Sequence, residues 1–175
     1  MASRLSILNP SAKRIPGPEL LHHLVASETT TAAAVEYLSP NGVIESLSYP
    51  ELQRRANTLA WTLRSTWEKI STNPIREHFI VPIFIPQCPD LYISELAALK
   101  AGAAFCPISL DVPEARLRFI LRDVDAQILL TTARTKDQLP DLEGIDIIIV
   151  DDIHGDNDRD LEVSSSPSHP AYVMC

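Results

Sequence analysis

Asp156, Asp158 and Asp160 alternate along an acidic stretch in the way that calcium-loop ligands do. The match then fails. Leu161 stands where such a loop needs Gly, and Pro167 stands where the bidentate Glu belongs. The stretch Asp151–Glu162 reads as a solvated acidic loop. His22 and His23 are adjacent, so on a helix they diverge by about 100° and cannot easily face one metal. The three cysteines, Cys88, Cys106 and Cys175, form no CxxC pair, and two of them sit in apolar runs. They read as buried free thiols of a reducing compartment, the cytosol.

Nucleotide chemistry needs a cradle of backbone N–H groups close to the phosphates, which Gly-rich loops supply. The five glycines, Gly17, Gly42, Gly102, Gly144 and Gly155, are scattered, and neither GxxxxGK[ST] nor GxGxxG occurs. GxSxG, HExxH and paired-Cys zinc patterns are also missing. Arg54, Arg55 and Arg64 read as decoration of a helix surface on a chain of net charge −8. That charge disfavours a general nucleic-acid binder. No apolar run approaches a membrane span, and the N-terminus lacks the apolar core of a secretory signal. No residue is assigned a catalytic, cofactor-binding or metal-binding role.

The elements that would position any site follow from the hydrophobic pattern. Residues 1–18 read as an extended arm, followed by a turn or two of helix at Pro18–Val25. Ala32–Leu38 and Val43–Leu47 flank Ser39-Pro40-Asn41-Gly42, which predicts a hairpin. Ser48 or Tyr49 opens a helix with Pro50 and Glu51 in its first turn, running to about Thr66 or Trp67. Leu52, Ala56, Leu59, Ala60 and Leu63 form its apolar stripe, with Gln53, Arg54, Arg55, Asn57 and Arg64 facing away. Ser71–His78 reads as a loop.

Phe79–Pro86 is apolar on both faces, as in a central strand, although Pro82 suggests an edge or a bulge. A helix from Pro89-Asp90 stops at Gly102, and Ala103–Ile108 follows as a short strand that Pro107 limits. Asp111 and Glu114 stand in capping-box spacing before a helix over 113–124, whose inner face is Leu117, Ile120, Leu121 and Val124. Ala126–Thr131 and Ile145–Val150 read as further strands around a short helix at Thr132–Leu139. The alternation predicts an α/β fold, an open and mostly parallel sheet with flanking helices. Ser164–Pro170 is a connector, and Ala171–Met174 looks like the start of one more strand.

Three of these pieces carry a family resemblance. Leu99–Leu121, LKAGAAFCPISLDVPEARLRFIL, resembles the second core motif of the adenylate-forming (AMP-binding) enzymes, in the form found in adenylation domains of nonribosomal peptide synthetases. Leu47–Ala60, LSYPELQRRANTLA, resembles the first core motif, and His169–Cys175, HPAYVMC, the lead-in to the third. Within the family the likeness is to fungal siderophore synthetases of the ferrichrome type.

The resemblance implies a partial N-terminal subdomain of the adenylate-forming fold, truncated before the phosphate loop. Residues 1–27 would be an arm and 28–175 an incomplete adenylation domain, with 151–170 an acidic, Ser/Pro-containing loop. The complete enzyme would use ATP and Mg to join an amino or hydroxy acid to AMP, then load it on a phosphopantetheine carrier domain. The motif residues Tyr49, Glu51, Asn57, Lys100, Gly102 and Pro107 read as structural, so the chain by itself is expected to be inactive. An alternative is a stand-alone α/β binding or interaction module. A loose tail at Ala171–Cys175 would favour the module, and an ordered strand there the adenylation fragment. A Rossmann nucleotide-binding protein is disfavoured, because the first strand-to-helix turn, Gln87–Asp90, has no Gly.

Overall fold

The computed structural model describes residues 20–26, 30–71, 79–155, 159–161, 163 and 165–174. The predicted arm up to residue 19, most of the 71–78 loop, Asp156, Asp158 and Cys175 lie outside them. A short helix α1 (Leu21–Ala26) leads into a hairpin, β1 (Ala33–Leu38) and β2 (Ile44–Ser48). Gly42 N–H donates to Ser39 O at 2.9 Å, and Gly42 takes φ +77°. That is the turn-plus-left-handed-residue form of a three-residue hairpin loop, for which Asn-Gly is well suited.

Helix α2 (Tyr49–Ile70) starts at the expected residue: the Ser48 side chain accepts from Glu51 N–H at 3.4 Å, and Pro50 lies in the first turn. It runs past the expected end because Trp67 belongs to its buried face. Asn57 is a correction. It was expected to face solvent, but it is 3 % exposed. Its position next to Ala56 turns it toward the neighbouring helix α3 (Pro89–Lys100) and the chain that crosses it.

The main sheet is built from β3 (Ile80–Phe84), β4 (Ala104–Pro107), β5 (Ile128–Thr131) and β6 (Asp146–Ile149), all parallel, in the order β4-β3-β5-β6. Pro82 therefore sits in an interior strand, against the edge or bulge expected from sequence. The ladder explains how. Phe79 O and Ile83 O accept from Ala104 and Ile108 of the β4 side, so alternation turns Pro82 toward β5. Pairing with β5 begins only at Ile83↔Leu130, so the missing N–H falls where that ladder starts.

Helix α3 ends as expected. Ala103 N–H reaches Ala98 O at 2.9 Å, Gly102 N–H reaches Leu99 O at 3.1 Å, and Gly102 has φ +78°. This is a Schellman end. The next helix, α4 (Glu114–Asp123), corrects the expected capping box: Pro113 is its N-cap and no side chain caps it. Ser109 instead holds the preceding turn, taking Asp111 N–H on its hydroxyl and Val112 N–H on its carbonyl. After β5 comes a single-turn helix α5 (Ala133–Lys136), shorter than expected, and after β6 a 3-10 turn, Val150–Asp152.

Two cores result. On one face of the sheet, Val81, Ile83, Ile128 and Leu130 meet α2 and α3; the hairpin adds Leu47. On the other, Phe84, Cys106 and Leu129 meet Leu117, Ile120 and Leu121 of α4. Residues 171–173 lie along the outer side of β4. Tyr172 makes a parallel bridge with Phe105; Phe105 N–H donates to Ala171 O at 3.1 Å and Val173 N–H to Phe105 O at 2.9 Å. Among the described residues, no helix is long and apolar enough to cross a membrane.

Candidate functional site

Parallel sheets place their loops of interest at the carboxyl ends of the strands, and ligands favour the point where strand order reverses. Here the chain goes from β3 to β4 on one side and then to β5 on the other, so the reversal lies between β3 and β5. That gap is plugged by hydroxyls. Thr131 Oγ1 donates to Phe84 O at 3.1 Å, and Thr135 Oγ1 lies 2.9 Å from Thr131 Oγ1 and 2.7 Å from Thr132 Oγ1. All three threonines are buried. Thr132 and Thr135 also form a capping box that starts α5.

Above this plug is a cleft of about 540 Å³ between the hairpin, the start of α3 and the loops after β5 and β6. Arg55 Nη2 and Asp90 Oδ1 meet across it at 2.6 Å, pinning α2 to the first turn of α3. Both carboxylate oxygens of Asp151 accept from Ala133 N–H, at 3.0 and 3.1 Å. Cys88, the N-cap of α3, is half-buried, and burial raises its thiol pKa despite nearby backbone N–H groups of Leu91 and Asp90. A protonated thiol is a poor nucleophile.

Among the described residues, the arrangement offers charge and hydrogen bonding but no catalytic constellation. The cleft lining contains no His, Lys or Gly among the described residues. Among the described residues, no group of three or more His, Cys, Asp or Glu could hold a metal ion. Neither a phosphate cradle nor a magnesium site is formed by these described residues.

The acidic segment is largely exposed, as a solvated loop would be, with Asp151, Asp152, His154, Gly155, Arg159 and Asp160 open to solvent, but it is not detached from the fold. Its described residues fold back over α2 and α3. Gly155 O lies 3.1 Å from Thr58 Oγ1, and Trp61 Nε1 donates to Arg159 O at 3.2 Å. Asp160 Oδ1 accepts from Lys100 Nζ at 2.5 Å. Lys100, read from sequence as structural, is buried, and the signal available was a Lys inside an otherwise apolar helix end followed much later by an Asp-rich run. Arg64 pairs with Glu68 on the α2 surface at 2.9 Å, as a decorating residue would.

The parallel sheet, the α-layers on both faces and the strand-edge cleft define an open α/β subdomain. The chain belongs to the AMP-binding enzyme family, which matches residues 23–174. It is 37 % identical over 173 residues to "Nonribosomal peptide synthetase SIDC" of Beauveria bassiana, covering 97 % of this chain and 3 % of that protein. It is 38 % identical over 135 residues to "Siderophore peptide synthetase fer3" of Mycosarcoma maydis, covering 72 % of this chain and 3 % of the relative. The chain thus spans about 3 % of the length of these relatives. The solved nonribosomal peptide synthetase FmoA3, in an alpha-methyl-L-serine-AMP bound form, superposes with a TM-score of 0.65 at 28 % identity, over 73 % of this chain and 14 % of FmoA3.

Proposed function

We propose that this chain supplies the N-terminal α/β layer of an ATP-dependent amino-acid-activating ligase of nonribosomal siderophore synthesis. The complete ligase would join an amino or hydroxy acid to AMP, releasing pyrophosphate, and then load the acid as a thioester on a phosphopantetheine carrier. Residues 28–175 act as an incomplete adenylation domain behind an arm at 1–27, in the cytoplasm. The observation that carries the reading is the family match over residues 23–174 together with fungal synthetase relatives. The seating of 171–173 beside β4 supports it further, because a stand-alone module would leave that tail loose.

The 175-residue chain by itself is proposed to be inactive, since its cleft has neither the Lys nor the Gly-rich backbone that acyl-adenylate chemistry requires. The test is ATP–pyrophosphate exchange with a panel of amino and hydroxy acids. It is run on this chain and on the product of the transcript read in frame past codon 175. Exchange by the longer product alone is expected. Exchange by the short chain would overturn its inactivity, and a longer product that activates no acid would overturn the ligase reading.

A further inference from the structure

The chain leaves β6 at one edge of the sheet and returns beside β4 at the other. After the 3-10 turn at Val150–Asp152 the returning segment has no described helix or strand before Tyr172, so its path depends on side contacts with α2 and α3. Half-buried Thr58 and exposed Trp61 reach the backbone of Gly155 and Arg159. Val163 and Ser165 rest against Gly102, where an added Cβ would meet them at 3.5–3.6 Å. The contact with Lys100 differs from these. Lys100 is 3 % exposed, whereas the Asp160 side chain is 64 % exposed. Burial disfavours a carboxylate, but the Lys100 ammonium and the Asn57 amide hold the Asp160 carboxyl below its ordinary pKa.

The asymmetry matters. Asp160 could leave for water at little cost, but its departure would strand an ammonium in the protein interior. The strap is therefore held by what its loss would do to α3. Beyond the strap, residues 171–173 are attached to β4 by two backbone hydrogen bonds and by the Phe105–Tyr172 ring contact at 6.0 Å. So short a pairing needs a tether that keeps the strand close, since a brief connection from a fixed strap lowers the entropy cost of docking.

We propose that Lys100 and Asp160 form a latch that fixes the strap at residues 159–161, 163 and 165 and thereby seats residues 171–173 as a fifth parallel strand. Both are positioning residues. The inference rests on the fold alone and goes beyond the ligase reading.

Amide hydrogen exchange on the intact chain tests it without ATP, so its outcome is separable from that of the exchange assay. In Asp160→Asn, the Phe105 and Val173 amides, which bond across the β4 edge, should exchange at least about tenfold faster. The Ala104 and Ile108 amides, which bond toward β3, should keep their rates. Lys100→Met retains an apolar stem and should give the same selective acceleration, while Asp160→Glu should restore protection. Unchanged Val173 exchange in both Asp160→Asn and Lys100→Met would overturn the latch. Equal acceleration at Ala104 and Val173 would also overturn it, by showing a general loss of stability.

Discussion

The indole of Trp67 lies flat on the ring of Phe79, with centroids 4.3 Å apart and planes 6° from parallel. Both rings are buried. The pair joins the last turns of α2 to the residue just before β3, so the long helix and the central strand share one end of the core. Stacked aromatic pairs add to what area burial alone contributes.

Trp67→Ala should therefore lower unfolding free energy by about 3–5 kcal/mol, the range for an aromatic removed from a core. Trp61, on the same helix but 41 % exposed, should lose no more than about 1.5 kcal/mol on the same change, for its hydrogen bond to Arg159 O. Urea unfolding of both variants checks this. Equal losses would mean that the Trp67–Phe79 stack does not anchor the core.

Gly102→Ala should cost about 1–2 kcal/mol, because φ +78° forces a Cβ against the following carbonyl. The space around it is ordinary contact, so sterics with the strap add little. Gly144→Ala is the control: φ is +79° and nothing lies within 4 Å. Matched losses in thermal or chemical unfolding are expected. A loss confined to Gly102 would trace the effect to Val163 and Ser165 instead of the backbone.

Local signals in the sequence carried much of the fold. Ser48 and Pro50 marked the start of α2, Gly102 the end of α3, and Leu117, Ile120 and Leu121 the inner face of α4, because each is decided by near neighbours in the chain. What was not legible depends on distant partners. Pro82 looked unfit for an interior strand, but which neighbour its missing N–H would face is set by the register with β4 and β5. Asn57 looked solvent-facing by its polarity, yet the chain that covers it returns a hundred residues later (on the order of one domain length). The exposure of the acidic run was legible, but its contact with Lys100 was not, since only the tertiary fold brings Asp160 there. The strand-edge cleft was invisible, since it is assembled from the hairpin, α3 and two later loops.

Thr135→Val removes the hydroxyl at the centre of the threonine plug while keeping the side-chain shape. Thr132 N–H then loses its 3.2 Å acceptor, and Thr131 and Thr132 lose a hydroxyl neighbour. Leaving a buried donor unsatisfied costs about 1–3 kcal/mol. Thr135→Ser keeps the oxygen and should lose less. Unfolding by denaturant separates the two, and a Val variant as stable as the wild type would show that the plug contributes nothing net.

Acid should loosen α1 before the sheet. His22 is half-buried beside His23 and near Lys100, and its pKa is lowered from 6.5 to about 4, first by burial, then by the charges of His23 and Lys100, with Asp160 opposing. The folded state thus favours neutral His22 more than the unfolded chain does. By linkage, the unfolded state binds more protons between those values, so stability rises with pH there. The contribution is present in full above 6.5 and is lost as pH falls toward about 4. Exchange of the His23 amide, which donates to Leu20 O at 3.1 Å, should quicken across that window after correction for intrinsic rate. His22→Gln cannot take up the proton and should flatten the change. A His22→Gln variant that keeps the wild-type pH dependence would assign the effect to another group.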